Sequence, residues 1–392
     1  MANAKDFIEA EIQCRQESGE PITSKILSEH IKKISNEIEL QRQEAILAEE
    51  QKRNRANIIA FYDEVIEEML TTNQNEYKPN TIKNWKLFGN YLKGFYNETP
   101  FTWEEINQAL AAQFKAYMER NGYSVNSVCN GNKYFKALIR KAYDQNIHEN
   151  AKAEKVFVKH QAKESEKAAE VYLTSEELSA LYEMKLSGVK DRVRDAFLMG
   201  VYTCQRVSDY LNFSKSNVVE TTNGIPTLKF TQRKTEKLVQ IPISKRLQAL
   251  LTKYNNESPI ISNGSNPESN DVLVNRYIKI ILQELSAKVP SLAQDFVTIL
   301  EKGERENEAL GKVTFRRDKY GNVIKHKYEL VTSHTARDTG ISLLYLKGFN
   351  ETQIMAMSGH TNLTMSRAYN KMSAEDKAEA IAEKMSKVNP YE

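Results

Sequence analysis

Strand-forming signals in this chain are confined to two short windows, and that confinement restricts the fold more than any other feature. Between residues 217 and 243, three β-branched and apolar runs (Asn217-Val218-Val219-Glu220, Thr227-Leu228-Lys229-Phe230-Thr231 and Leu238-Val239-Gln240-Ile241-Pro242-Ile243) are set apart by a Thr-Thr-Asn-Gly turn and a polar turn. Between 313 and 328, a cation-rich segment around Tyr320-Gly321-Asn322 reads as a hairpin. Elsewhere apolar residues recur at the helical period. The expected fold is therefore mainly α with a small antiparallel β-sheet, an α+β arrangement.

The helical signals divide the chain. Ser28 to Leu70 holds no Pro or Gly, with apolar positions at Ile31, Ile34, Ile38, Ile58, Phe61, Val65 and Met69. Residues 1–75 are expected to be a helical N-terminal extension. Residues 76–155 form a compact helical domain. Its first helix opens near Pro79 and carries Trp85, Phe88, Tyr91, Leu92 and Phe95. The second is expected to open at Thr102, with Glu105 three residues on as a capping partner, and to end at Asn121-Gly122. The third starts near Ser124 and runs through Val128, Tyr134, Leu138 and Ala142. The charged, Ala-rich stretch 151–171 lacks apolar periodicity, which places a linker at 156–172. A larger domain, 173–392, begins at Leu173-Thr174-Ser175-Glu176-Glu177-Leu178, a capping-type helix start, followed by an apolar helix near Arg192–Thr203.

Composition matters once it is divided in the same way. The 392 residues carry a net charge of +3. Residues 1–75 hold 9 Lys and Arg against 15 Asp and Glu, while residues 76–160 hold 13 against 8 and the remainder 33 against 29. An acidic head thus hides a basic body, which suits a polyanionic partner. Cys14, Cys129 and Cys204 are odd in number and far apart, which excludes a disulfide scaffold and a cysteine-only zinc site. No cofactor and no metal is expected. No apolar run approaches the ~20 residues of a membrane span, and the opening MANAKDFIEAEIQ is unlike a signal peptide. No membrane partner and a cytoplasmic location are expected.

Four local patterns fall in order in the larger domain. They are Tyr202-Thr203-Cys204-Gln205-Arg206-Val207-Ser208-Asp209 after the apolar helix, Gln232-Arg233-Lys234-Thr235 in the turn between two strands, His334-Thr335-Ala336-Arg337 at a helix start, and Ser358-Gly359-His360 with Tyr369 nine residues after the histidine. Each is common alone. In order and spacing they resemble the tyrosine recombinase family, which includes the phage and mobile-element integrases and the Xer-type resolvases. The resemblance covers residues 173–392 by motif and about 78–150 by helical character and position.

The resemblance implies a catalytic set of Arg206, Lys234, His334, Arg337, His360 and the nucleophile Tyr369, with Asp209 in support. A tyrosine oxygen attacks a DNA phosphodiester and expels a 5′-hydroxyl, conserving the bond energy in a phosphotyrosine ester. The pentacoordinate phosphorus gathers negative charge that the two guanidiniums grip while staying ionised. Lys234 fits a general acid for the leaving oxygen, and the two histidines fit hydrogen bonding to the phosphate or proton transfer at Tyr369. Cys204 stands where the family commonly has Gly, which constrains the backbone there.

The family reading also implies double-stranded DNA attachment sites, a homo-tetramer on DNA, and an excisionase or other accessory protein as partners. Lys133, Lys136, Arg140 and Lys141 on the third helix, and Arg316, Arg317, Lys325 and Lys327 in the cationic hairpin, are candidate DNA contacts. The expected function is site-specific recombination for integration or excision of a mobile element. A type IB topoisomerase-like enzyme and a catalytically silent DNA-binding protein are the alternatives.

Overall fold

The computed structural model describes residues 24–55, 57–71, 77–157, 168–261 and 267–368, with isolated residues 9, 12–14, 17, 371, 378 and 382. The chain divides into two compact units, Met1–Glu164 and Ser165–Glu392.

The first unit is helical. Helix α1 spans Ser24–Arg55 and α2 spans Ile58–Thr71. The continuous helix read from the sequence is interrupted at Asn57, whose Oδ1 accepts from the amides of Ile59 (2.9 Å) and Ala60 (3.1 Å) and so starts α2 afresh. Ile58, Phe61, Tyr62, Val65 and Met69 of α2 belong to the same buried core as α3 (Pro79–Glu98), α4 (Gln108–Arg120) and α5 (Val125–Asp144). The core therefore begins about twenty residues before the expected boundary at 76. It also runs past 155, through the short α6 (Ala153–Val156) to Phe157, which stacks on Phe135 at 4.2 Å. Close approach of α2 to α3 depends on Gly89: a Cβ there would lie 2.0 Å from the Tyr62 hydroxyl, which donates to the Trp85 carbonyl at 2.9 Å.

Ser124 caps α5 as expected. The Thr102–Glu105 pair forms, with Glu105 Oε2 accepting from the Thr102 amide at 2.7 Å, but it closes a turn rather than a helix. Phe101, Trp103 and Ile106 are all buried, so this segment enters the core. The helix starts later, at Asn107, whose Oδ1 accepts from Leu110 N at 3.1 Å.

The second unit opens with α7 (Ser175–Glu183), where Thr174 and Glu177 complete a capping box. Helix α8 (Gly188–Thr203) is enclosed along its second half, where Val193, Ala196, Phe197, Leu198, Met199 and Val201 are buried, while its charged first half buries Arg194 only in ion pairs with Asp191 and Asp195. A single turn, α9 (Val207–Tyr210), follows. Strands β1 (Val218–Glu220), β2 (Pro226–Thr231) and β3 (Leu238–Pro242) form an antiparallel sheet in that order, with Leu228 opposite both Val218 and Ile241. Leu228, Phe230, Val239 and Ile241 face the core. Helices α10 (Lys245–Lys253) and α11 (Pro267–Ser286) come next, and Val274, Ile278, Ile281 and Leu282 bury α11 in the same core.

The insertion before the last motifs differs from the expected hairpin. Strand β4 (Asp295–Val297) pairs with β5 (Ile324–His326), while α12 (Lys302–Ala309) lies between them in sequence. Around Gly321 only the single bridge Arg317–Val323 forms. The partner of β5 is upstream of the cationic segment, and the chain re-enters helix at α13 (Lys327–Leu330). Helices α14 (Thr335–Leu346), α15 (Glu351–Ser358) and α16 (Leu363–Ala368) complete the described unit. Gly340 lets α14 approach α8, since a Cβ there would meet the Val201 carbonyl oxygen at 2.2 Å. Val171 and Leu173 are already in this core, so the second unit begins inside the expected linker.

Candidate active site

The site is assembled from three chain reversals of the second unit that bond to one another. At the first, α8 ends on Cys204 in the left-handed conformation, φ +57° and ψ +28°. The Cys204 amide reaches the Val201 carbonyl at 3.3 Å and the Gln205 amide reaches Gly200 at 3.3 Å, closing the helix end. A non-glycine residue there costs about 1–2 kcal/mol. The thiol side chain is buried beside Ile341 and Ile354, and burial pushes its pKa up to about 12, so it is a packing group and not a thiolate. This reversal delivers Arg206, partly exposed, into the N-cap position of α9. Its Nη1 is buried and makes no hydrogen bond among the described residues, the kind of unsatisfied buried donor that calls for a functional account.

The second reversal is the β2–β3 turn. Lys234 is exposed near its tip. Asp209, one turn along from Arg206, accepts from the Arg233 amide at 2.9 Å and so ties α9 to this turn. Burial raises the pKa of the Asp209 carboxyl against the opposing pull of that amide and of Arg206 and Arg337. Lys237 Nζ reaches the His360 carbonyl at 3.3 Å.

The third is the turn after α15, where Gly359 ends the helix at φ +76° and His360 is buried. Arg337, on α14, is 0 % exposed. Its Nη1 donates to the Cys204 carbonyl at 2.9 Å and its Nη2 lies 2.6 Å from His360 Nε2. Guanidinium has no acceptor, so Nε2 must be the lone-pair nitrogen; Nδ1 then carries the proton and donates to Ser358 Oγ at 3.0 Å. Burial, then Arg337 and Arg206, pushes the His360 pKa down to about 3, which keeps the ring neutral. His334 stands at the start of α14 on the open side; desolvation, then Arg337 and Arg206, holds its imidazole below the ordinary range. Its loop is pinned by Ser333, which donates through N to Asn275 and through Oγ to Asp271, both at 2.7 Å.

The structure therefore gathers Arg206, Asp209, Arg337, His360 and the base of the Lys234 turn, with His334 beside them. Tyr369 lies outside the described residues. Lys371, two residues later, is held by its amide to Ser342 Oγ at 3.0 Å and by its ammonium to Glu170. Sequence reading missed Gln205 and Gln232, both buried between these reversals. Their signal was in the quoted patterns, one residue before Arg206 and two before Lys234.

The candidate DNA contacts separate into two groups. On α5, Lys133, Lys136 and Arg140 are exposed at i, i+3 and i+7, one stripe of the helix. Lys133 lies over the Tyr134 ring at 5.4 Å, and Lys136 and Arg140 make loose contacts to Glu154 (3.6 Å) and Asp144 (3.9 Å), pairs that contribute about 0–1 kcal/mol. Lys141 turns away from that stripe to Glu68 at 2.7 Å. In the insertion every candidate cation is engaged by carboxylates: Arg316 by Asp295 (2.8 Å) and Glu329 (3.4 Å), Arg317 by Glu308 (2.9 Å), and Lys325 by Glu304 (2.6 Å). Lys327 is a correction: it is buried, 2.7 Å from the fully buried Glu177, and serves the fold rather than a phosphate.

Two family models match the chain, the phage integrase SAM-like domain over residues 57–159 and the phage integrase family over residues 171–376. The chain matches no curated protein. Among solved structures, it is similar to a lambda integrase dimer bound to a COC′ core site, with 17% identity and a TM-score of 0.53 over 80% of this chain and 76% of that one. It is also similar to a Tn1549 transposon integrase in complex with transposon right end DNA, with 14% identity and a TM-score of 0.52 over 84% of this chain and 99% of that one. At these identities the likeness is one of fold.

Among the described residues, no helix is long and apolar enough to cross a membrane.

Proposed function

Because this chain belongs to the phage integrase family, and is thereby a tyrosine-type site-specific recombinase, we propose that its second unit cuts and rejoins DNA through Tyr369. The Tyr369 oxygen attacks the scissile phosphorus as its phenolic proton passes to solvent water. The bond from phosphorus to the 5′ oxygen breaks, and Lys234 donates the proton that leaves that end as a 5′-hydroxyl. The 3′ phosphate remains esterified to the tyrosine. A 5′-hydroxyl from a second duplex reverses the step and frees the enzyme, so no external energy source is required.

Arg206 and Arg337 carry the charge of the phosphorane. The single observation that supports this most strongly is the donor of Arg206 left without a hydrogen-bond partner among the described residues, with Arg337 fully buried and held by the Cys204 carbonyl and His360. His360, whose Nε2 already accepts from Arg337, orients that guanidinium, and His334 on the open side donates to the phosphate. Asp209 holds the Lys234 turn against α9.

The helical unit supplies a second grip on duplex DNA through the exposed Lys133–Lys136–Arg140 stripe. A homo-tetramer bringing two attachment sites together, a mobile element as the substrate, an accessory factor contacting residues 1–75, and a cytoplasmic location complete the proposal. The likeness to a lambda integrase bound to a core site and to a transposon integrase bound to transposon right end DNA supports the mobile-element reading. The test is a nicked duplex drawn from the DNA flanking the encoding gene. Wild-type protein should form a covalent adduct on it, and Tyr369→Phe should bind it with unchanged affinity and form none. An adduct from Tyr369→Phe refutes the assignment.

A further inference from the structure

Gln205 and Gln232 are both 0 % exposed and lie where the three reversals of the site meet. Gln205 Nε2 donates to the Thr203 carbonyl at 3.0 Å and the Met357 carbonyl at 2.8 Å. Gln232 Nε2 donates to Gln205 Oε1 at 2.6 Å and to the Ser358 carbonyl at 2.9 Å. Gln232 Oε1 accepts from Thr235 Oγ1 at 2.7 Å. Each amide nitrogen has two protons, and all four are used. The amide orientations are fixed as well, because a flip would set an amide oxygen against a carbonyl oxygen at either residue.

These bonds join neighbours of the reacting groups and leave the groups themselves alone. Gln205 precedes Arg206. Gln232 stands at the base of the turn that carries Lys234, where its backbone also closes the turn through Lys237 O (2.9 Å) and Glu236 N (2.8 Å). Met357 and Ser358 lead into His360. The packing is tight: a Cβ on Gly359 would lie 2.5 Å from the Gln232 amide. The Lys234 turn is therefore clamped at its base while its tip is exposed.

We propose that Gln205 and Gln232 are positioning residues, a buried amide latch that fixes the Lys234-bearing turn against the Arg206 and His360 loops so that the lysine meets the leaving oxygen. This rests on the reading that Lys234 is the general acid. An apolar residue of equal size at position 232 keeps the volume but leaves the turn only its backbone bonds and the Asp209 contact, so the lysine shifts from its working position although it is still present. A displacement of about 1 Å is worth up to about 100-fold in rate.

The experiment compares two cleavage substrates, ordinary DNA and DNA with sulfur replacing the 5′ bridging oxygen at the scissile phosphate. A thiolate leaves without being protonated, so the sulfur substrate bypasses the general acid. Gln232→Met should cleave ordinary DNA about 10- to 100-fold more slowly than wild type and the sulfur substrate at close to the wild-type rate, with DNA affinity unchanged. A fold defect would slow both substrates equally, and that result, or no slowing on either, overturns the latch. Should Gln232→Met not fold, Thr235→Val removes only the Thr235 bond to the latch and should give a smaller loss with the same rescue; equal rates for Thr235→Val and wild type then overturn it. Lys234→Ala separates the two levels of the argument. If Lys234→Ala cleaves ordinary DNA normally, the general-acid reading fails and the latch with it; if Lys234→Ala is slow and sulfur-rescued while Gln232→Met is unimpaired, the latch alone fails.

Discussion

Lys327→Met should destabilise the second unit strongly while leaving DNA binding intact. Glu177 is 0 % exposed and Lys327 is 7 % exposed, with the ammonium 2.7 Å from Glu177 Oε2. The same carboxylate accepts from the Thr174 amide at 2.9 Å and from Ser291 Oγ at 2.7 Å, so it joins the start of α7 to the segment after α11 and to α13. Removing the lysine leaves a buried carboxylate with two neutral donors and no countercharge. Breaking one side of a buried pair costs about 3–5 kcal/mol, and the two surviving hydrogen bonds put the expected loss at about 3 kcal/mol. For a unit of this size, 1 kcal/mol moves the melting midpoint by about 2–4 °C, so the drop should be about 6–12 °C. Scanning calorimetry reads it directly. Lys327→Met combined with Glu177→Gln should recover most of the loss, because no buried charge then remains. In parallel, the slope of log affinity for DNA against log salt should match wild type, since a phosphate contact would contribute about −0.9 to it. A melting midpoint within ~1 °C of wild type together with a shallower salt slope would return Lys327 to the DNA interface.

Other outcomes follow from the same geometry. Cys204→Gly removes the left-handed strain while losing a small buried side chain, so its urea midpoint should stay near wild type, whereas Cys204→Ala keeps the strain and should be about 1–2 kcal/mol less stable than Cys204→Gly. Asp338 is buried beside Lys371 and Glu170, and burial raises its carboxyl pKa to about 7. Its folded pKa exceeds the unfolded value, so its stabilising share is present below about pH 4 and lost as the pH rises through 7. Asp338→Asn should therefore be more stable than wild type at pH 8, with a gap that shrinks as the pH falls below 7 in denaturant titrations. Neutralising Lys133, Lys136 and Arg140 together should flatten the salt dependence of DNA binding by up to about 3 units in slope, and an unchanged slope removes the α5 stripe from the interface.

What could be read from the sequence was decided locally. Ser124 caps α5, Thr174 and Glu177 cap α7, and the three strands fall where alternation placed them, because each signal is completed within a few residues. Arg206, Lys234, His334 and His360 were visible for the same reason, each lying at a helix end or turn. Contacts distant in sequence were not legible. Thr102 and Glu105 bond as a capping pair does, yet the burial of Phe101, Trp103 and Ile106 turns the chain away from helix. The start of the first core at Ile58 depends on α2 meeting Gly89 and Trp85. Strand β5 found its partner some thirty residues upstream, Lys327 is claimed by a carboxylate 150 residues away, and Gln205 acquires its role only when Gln232 and Met357 reach it. The left-handed Cys204 shows the converse: a position where Gly is commonly found does need φ > 0, and this chain tolerates the strain.

Tyr369 should become joined to the 3′ side of a cut strand, and peptide mapping of the adduct reads that bond directly. The covalent complex is trapped on the nicked flanking duplex, digested with protease and nuclease, and the nucleotide-bearing peptide is sequenced by mass spectrometry. A single modified peptide with a 3′-linked nucleotide phosphate on Tyr369 is expected. A nucleotide on any other residue, or one linked through its 5′ phosphate, would contradict it.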